Sequence, residues 1–205
     1  IFFCYPGVWA LINYRFAHFF YERGFKLIAR AISGLTRIIT AVDINPGARI
    51  GSGVFFDHAT GLVIGETAII GDNCLIYQGV TLGGVSLEHG KRHPTLQNGV
   101  VVGAGAKVLG NITIGENSKI GANSVVVKDV EPNCTAVGVP ARILGSCESD
   151  PLAHNKIPDI SQELIKYLIK RIEILEECIC SGRKDIAAMD EDLNKFYEEY
   201  LKSLK

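Results

Sequence analysis

The run FFDHATGLVIGET, Phe55 to Thr67, sets an acid and a histidine, Asp57 and His58, inside an apolar, glycine-punctuated stretch. Burying a charge without a partner is costly, so the pair either caps something or does chemistry. A lone histidine in such a place is often a satisfied structural residue. The alternative is a general base: a neutral imidazole, with an unperturbed pKa of about 6.5, suits that task near neutral pH. It works best with an acid on Nδ1, which fixes the tautomer and stabilises the imidazolium. Read as strand residues, Asp57 and His58 point to opposite faces, which makes Asp57 a poor choice for that acid. Asp43, fifteen residues earlier, is better placed, because a coiled chain would set it one strand spacing below His58.

A second candidate is GKRHP, Gly90 to Pro94. Lys91 and Glu88 read as solvated loop charges. Arg92 and His93, held before a proline, are read as a carboxylate grip, since a guanidinium binds carboxylates through two parallel hydrogen bonds. His89, His93 and His58 raise the question of a zinc site. A His-x3-His pair aligns its side chains only on a helix, which Gly90 and Pro94 discourage, so no metal is expected.

The elements that must position these groups follow from a repeat. An aliphatic or aromatic residue returns every six positions: Ile44, Ile50, Phe56; then Ile64, Ile70, Ile76, Leu82; then Val102, Val108, Ile114, Ile120, Val126. Glycine follows directly at Gly51, Gly65, Gly71, Gly83, Gly103, Gly115 and Gly121. Neither the helix period of about 3.6 nor the strand period of about 2 explains six. Three hexads make one coil of a parallel β-helix, and about five coils fit between Val42 and Val139. The phase slips by two residues between Phe56 and Ile64, and breaks again between Leu82 and Val102. There VSLEHGKRHPTLQN is too polar for a coil and reads as a protruding loop. Both irregularities carry the candidate histidines, as expected where a loop is shaped without unravelling its neighbours.

The flanks differ in kind. Val8, Leu11, Ile12, Arg15, Phe16, Phe19 and Phe20 predict a helix over about 7–22 with an apolar face, and a second helix is predicted over about 25–40. GVPARIL reads as the closing turn of the repeat. A charged helix follows from about Ser161, with Ile165, Leu168, Ile172, Leu175 and Ile179 at helical spacing. The predicted division is a helical region, truncated at its N-terminus, over 1–41, a β-helix over 42–145, and a loop and helical tail over 146–205. In the 205-residue chain 47 % of residues are apolar and the formal net charge is −1, which excludes a basic nucleic-acid face. Asn13, Arg15 and His18 interrupt the best apolar run, so it is not a membrane span. The six cysteines show no CxxC pair and read as reduced thiols of a cytoplasmic protein.

The IGxxxx pattern resembles the hexapeptide-repeat acyltransferases, whose β-helix is left-handed. Taken with DINPGARIG, DHATG, GETAIIGDN, QGVTLGG, GKRHP, GAGAKVLGN and GVPARI, the chain closely resembles the serine acetyltransferase family over residues 5–145. DHATG and RHP are the specific parts. The resemblance implies acetyl transfer from acetyl-CoA, a co-substrate and not a resident cofactor, to L-serine. It implies His58 as the general base and Asp43 as the acid that orients it. Asp57 and Arg92 would bind the ammonium and carboxylate of the amino acid, and His93 the substrate or the developing oxyanion. Acetyl-CoA would lie between subunits of a homotrimer or dimer of trimers, against the backbone of Gly84, Ala104 and Ala122.

Three departures stand out. Asn45 replaces the histidine of the family's DIHP motif and cannot titrate. Most of the family's longer N-terminal helical region, which supports the dimer of trimers, is missing from this sequence. Bacterial relatives often end in an isoleucine that docks O-acetylserine sulfhydrylase, whereas this chain ends KSLK, which puts that partner in doubt. Rival readings are a hexapeptide acyltransferase for homoserine or a sugar, and a β-helix scaffold without activity. A sugar enzyme has no use for the pair Asp57 and Arg92, and a scaffold none for Asp43, His58 and His93 together.

Overall fold

The computed structural model describes residues 5–86, 90–144 and 168–172. Two compact units divide the chain, Ile1–Asp150 and Pro151–Lys205. Of the second, residues 168–172 are described and are helical.

Hexads become coils because each inward side chain meets its equivalents from the coils above and below. Coil one holds Asp43–Ile44 (β1), Arg49–Ile50 (β2) and Phe55–Phe56 (β3); coil two holds Val63–Ile64 (β4), Ile69–Ile70 (β5) and Leu75–Ile76 (β6). Coil three holds Thr81–Gly83 (β7), Thr95–Leu96 (β8) and Val101–Val102 (β9); coil four Lys107–Leu109 (β10), Thr113–Ile114 (β11) and Lys119–Ile120 (β12). Coil five runs through Val125–Val126 (β13) to Thr135–Gly138 (β14), and Ala141–Leu144 (β15) closes it as an antiparallel hairpin. Parallel pairing stacks these strands into three faces: β1-β4-β7-β10-β13, then β2-β5-β8-β11, then β3-β6-β9-β12-β14 with β15 outermost. Inward residues such as Phe56, Ile64, Ile70, Leu82, Val102 and Ile114 are 2 % exposed or less. Each contributes about 1.5–3 kcal/mol by burial. Corners turn on left-handed Asn73, Asn117, Asn123 and Asn133, residues that tolerate positive φ.

The structure narrows the predicted loop. Thr95–Leu96 is a regular strand, and Leu96 lies six residues before Val102 on the inward side, 1 % exposed. The polarity of Gln97 and Asn98 belongs to the next corner, where Asn98 Oδ1 accepts the Asp72 N–H at 2.9 Å. The insertion is therefore confined to the stretch before Pro94.

Helices α1 (Pro6–Glu22) and α2 (Lys26–Thr40) match their predicted spans, but α1 docks the opposite face. It buries Gly7, Ala10, Tyr14 and Ala17, while Ile12, Phe16 and Phe19 are 40 %, 60 % and 49 % exposed. Close approach helps decide this: a Cβ on Gly7 would fall 2.3 Å from the Phe56 carbonyl oxygen, so the start of that line needs a bare Cα. Tyr14 Oη donates to the Ala48 carbonyl at 2.6 Å, and Ser33 Oγ to the Ile44 carbonyl at 2.6 Å, tying both helices to coil one. No helix among the described residues is long and apolar enough to cross a membrane.

The cysteines depart from the predicted set of free thiols. Cys74 is free and buried, but Cys134 is disulfide-bonded. The hairpin sets Thr135, the neighbour of Cys134, opposite Leu144, a proximity that sequence spacing does not announce.

Candidate active site

The predicted site residues fall on two edges of the first face. One edge is the corner entering that face from the third. Between β3 and β4 this corner takes six residues, 57–62, where the next takes four, 77–80. The extra pair forces His58 and Ala59 into left-handed backbone, φ 58 and 54. Consecutive non-glycine residues in that region are costly and mark candidate functional positions. The bulge lifts His58 off the barrel, leaving its side chain 74 % exposed.

One expectation is corrected here. His58 is not a strand residue, so strict alternation does not separate it from Asp57, and its Nε2 lies 3.9 Å from Asp57 Oδ1. Asp43 lies one coil below Val63, with which its Cα is in register, and its Oδ2 accepts from Arg37 Nη1 at 3.3 Å. The acid beside the His58 ring in this chain is Asp57. Asn45 Oδ1 accepts the Gly47 N–H at 3.0 Å and so shapes the turn after β1.

Ala104 and Ala122 continue the His58 edge, two and three corners further along the barrel, with the Asn123 N–H donating to the Ala104 carbonyl at 2.8 Å. At about 4.8 Å per coil, His58 to Ala122 is a column about 14 Å tall. A line of that length suits an extended acyl carrier.

The other edge is the corner leaving the first face, Gly65–Ala68, together with the loop before Pro94. Arg92 Nη2 donates to Glu66 Oε2 at 2.7 Å, and Tyr21 Oη of α1 donates to Glu66 Oε1 at 3.1 Å. The bonded Arg92 guanidinium holds the Glu66 carboxyl below the usual carboxylate range. Thr67 Oγ1 accepts the N–H groups of Arg92 at 3.0 Å and His93 at 3.1 Å, and lies 2.9 Å from His93 Nδ1. The Thr67 N–H also donates to Nδ1 at 3.2 Å. His93 is buried, and desolvation, then neighbouring Arg92 and Lys91, push its pKa down. Its ring needs a bare Cα: a Cβ on Gly65 would fall 1.9 Å from Cδ2 and 2.1 Å from Nε2. Gly84 belongs to this edge, since its Cβ would sit 3.4 Å from Nε2.

Asp57 and His58 are thus together, Arg92 and His93 are together, and the two pairs stand at opposite edges of the first face. His58 and His93 stand on different edges, and His89 lies outside the described residues; among the described residues no group of three or more His, Cys, Asp or Glu is placed to hold a metal ion. Sequence reading missed Glu66, Thr67 and Tyr21. The polar pair Glu66-Thr67 directly after Ile64-Gly65 was the available signal.

Stacked three-stranded coils, a bulged corner bearing an exposed histidine, and a column beside it define a left-handed β-helix transferase of the hexapeptide-repeat class. Residues 93–128 match the bacterial transferase hexapeptide (six repeats) family. The curated serine acetyltransferase of Synechococcus elongatus is 57 % identical over 176 residues, 85 % of this chain and 72 % of that protein. That of Mycobacterium tuberculosis is 52 % identical over 178 residues, 86 % of this chain and 78 % of its own length. The solved serine acetyltransferase of Vibrio cholerae superposes with a TM-score of 0.70 at 49 % identity, covering 72 % of this chain and 57 % of that one. Related serine acetyltransferase structures contain cysteine (TM-score 0.69), coenzyme A (Brucella abortus, 0.68) and serine (Neisseria gonorrhoeae, 0.67). This chain belongs to the serine acetyltransferase family.

Proposed function

We propose that this chain transfers the acetyl group of acetyl-CoA to the hydroxyl of L-serine, giving O-acetyl-L-serine and CoA. The observation that carries the reading is the exposed His58 on its left-handed bulge, beside Asp57 and at the foot of the Ala104–Ala122 column. His58 takes the hydroxyl proton as the serine oxygen attacks the thioester carbonyl. The tetrahedral intermediate collapses, the C–S bond breaks, and the imidazolium returns the proton to the CoA sulfur. No covalent enzyme intermediate is needed, because binding both substrates side by side makes the transfer effectively unimolecular. Asp57 takes the substrate ammonium, Arg92 its carboxylate, and His93 the carboxylate or the developing oxyanion. Asp43 remains the candidate to orient His58 once Arg37 is drawn off, and Gly84, Ala104 and Ala122 line the acetyl-CoA groove.

The separation of the two pairs supports a site shared between copies, with the His58 edge of one chain facing the His93 edge of the next. A homotrimer closes such head-to-tail contacts. The exposed apolar stripe of α2, with Leu35 at 62 %, Ile38 at 81 % and Ile39 at 79 %, suits further association into a dimer of trimers. The deciding experiment measures thiol release from acetyl-CoA with serine, homoserine and a panel of sugars side by side. Serine should dominate, and a preference for any sugar would overturn the assignment.

A further inference from the structure

We propose that Thr67 is a positioning residue that locks His93 as the neutral tautomer with its proton on Nε2, making His93 a hydrogen-bond donor to the substrate and never a proton acceptor. The inference rests on the reading that His93 faces the amino-acid substrate. The argument is a count of hydrogens. A threonine hydroxyl has one proton and two acceptor lone pairs. The backbone N–H groups of Arg92 and His93 can only donate, and both reach Thr67 Oγ1, at 3.0 and 3.1 Å. Both lone pairs are therefore occupied, and the one hydroxyl proton is left for the third neighbour, His93 Nδ1, at 2.9 Å. The Thr67 N–H points at the same nitrogen from 3.2 Å. Two donors converge on Nδ1, so it carries no proton, and in the neutral ring the proton sits on Nε2.

A proton added at Nδ1 would face two donors and no acceptor. The charged groups around the ring oppose it as well: Lys91 and Arg92 from the loop disfavour the cation, and among the described residues Glu66, engaged by Arg92 and by Tyr21 of α1, is the carboxylate favouring it. Lys91 also donates to the His93 carbonyl, fixing the backbone from which the ring projects. Nε2 has no hydrogen-bond partner among the described residues, and it lies against the bare Cα of Gly65 and near Gly84. A fixed N–H there is available to a carboxylate or an oxyanion without any change of protonation state.

The test is long-range proton–nitrogen NMR of ring-labelled histidine in the full chain, with His93 assigned by its loss in His93→Gln. Wild type should show Nε2 protonated and Nδ1 bare, with a midpoint below the ordinary value of about 6.5. In Thr67→Val the midpoint should rise, and the serine KM should rise by about tenfold or more while the acetyl-CoA KM holds. Thr67→Ser, which restores the hydroxyl, should return both. A wild-type ring protonated at Nδ1, or a midpoint unchanged in Thr67→Val, overturns the proposal. Should Thr67→Val not fold, the wild-type tautomer alone decides. Because the NMR readout needs no turnover, failure of the acyl-transfer reading would be seen separately, in the thiol-release assay.

Discussion

Replacing Arg92 with alanine separates recognition from stability, and the structure gives a size to each. Within the chain the guanidinium bonds Glu66 Oε2 at 2.7 Å, with the two side chains 24 % and 37 % exposed. An ion pair that open to water is screened, so its loss should cost under about 1 kcal/mol, or a fall in Tm of about 2–4 °C at most for a chain of this size. Recognition should suffer more. Losing a charged partner to a desolvated carboxylate costs about 2–5 kcal/mol. The quarter exposure of Arg92 places it at the low end, about 2–3 kcal/mol, which is about 30- to 140-fold in serine KM. The acetyl-CoA KM should be nearly unchanged. Free cysteine carries the same ammonium and carboxylate, so its Ki should rise in parallel. The assay is thiol release at saturating acetyl-CoA, with serine varied in the absence and presence of cysteine. If serine KM and cysteine Ki both stay within about twofold of wild type, the amino-acid grip is refuted even if acyl transfer stands. A pH measurement adds a check. Arg92 holds the Glu66 carboxyl below its ordinary range, so this contribution to stability is present above the unfolded carboxylate pKa. It is lost as pH falls through the lowered folded value, and Arg92→Ala should flatten that acid limb.

His58→Ala should lower kcat by about 10² to 10⁴ with little change in KM. The fold should survive, since the side chain is 74 % exposed, and a variant keeping more than about half the wild-type rate would remove His58 from the mechanism. Gly65→Ala should displace the His93 ring, because the new Cβ would fall 1.9 Å from Cδ2. A loss of about 10² in kcat/KM is expected for a misplacement near 1 Å, and wild-type kinetics would contradict the geometry. Tyr14→Phe should cost about 1–2 kcal/mol in denaturant unfolding by leaving the Ala48 carbonyl without its donor. Burial pushes the Tyr14 hydroxyl up to about 12, so wild type should lose stability as pH rises from about 10 towards that value, and the Phe variant should not. Light scattering should show a trimer or a larger assembly, and an active monomer at micromolar concentration would sink the shared site.

The six-residue period by itself determined the barrel. It is a local signal, repeated often enough to name the inward residues from Ile44 to Val126 except Leu96, and each residue it named is buried. The same period marked both places where the coil is interrupted and hence the candidate histidines. Tertiary structure decided what those interruptions build. Left-handed backbone at His58 swings its ring towards Asp57, a torsion that no strand alternation predicts. Phe56 admits α1 only at Gly7, and the face that follows buries Ala10, Tyr14 and Ala17, so close packing overrules the apolar periodicity of that helix. Glu66 and Thr67 meet Arg92 and His93 across a sequence separation of about 26 residues, where hydrogen-bond geometry selects partners that composition leaves open. The edge each histidine occupies depends on insert lengths summed around the coil. One residue more or less before Pro94 would be invisible to the period yet would move His93 off Thr67.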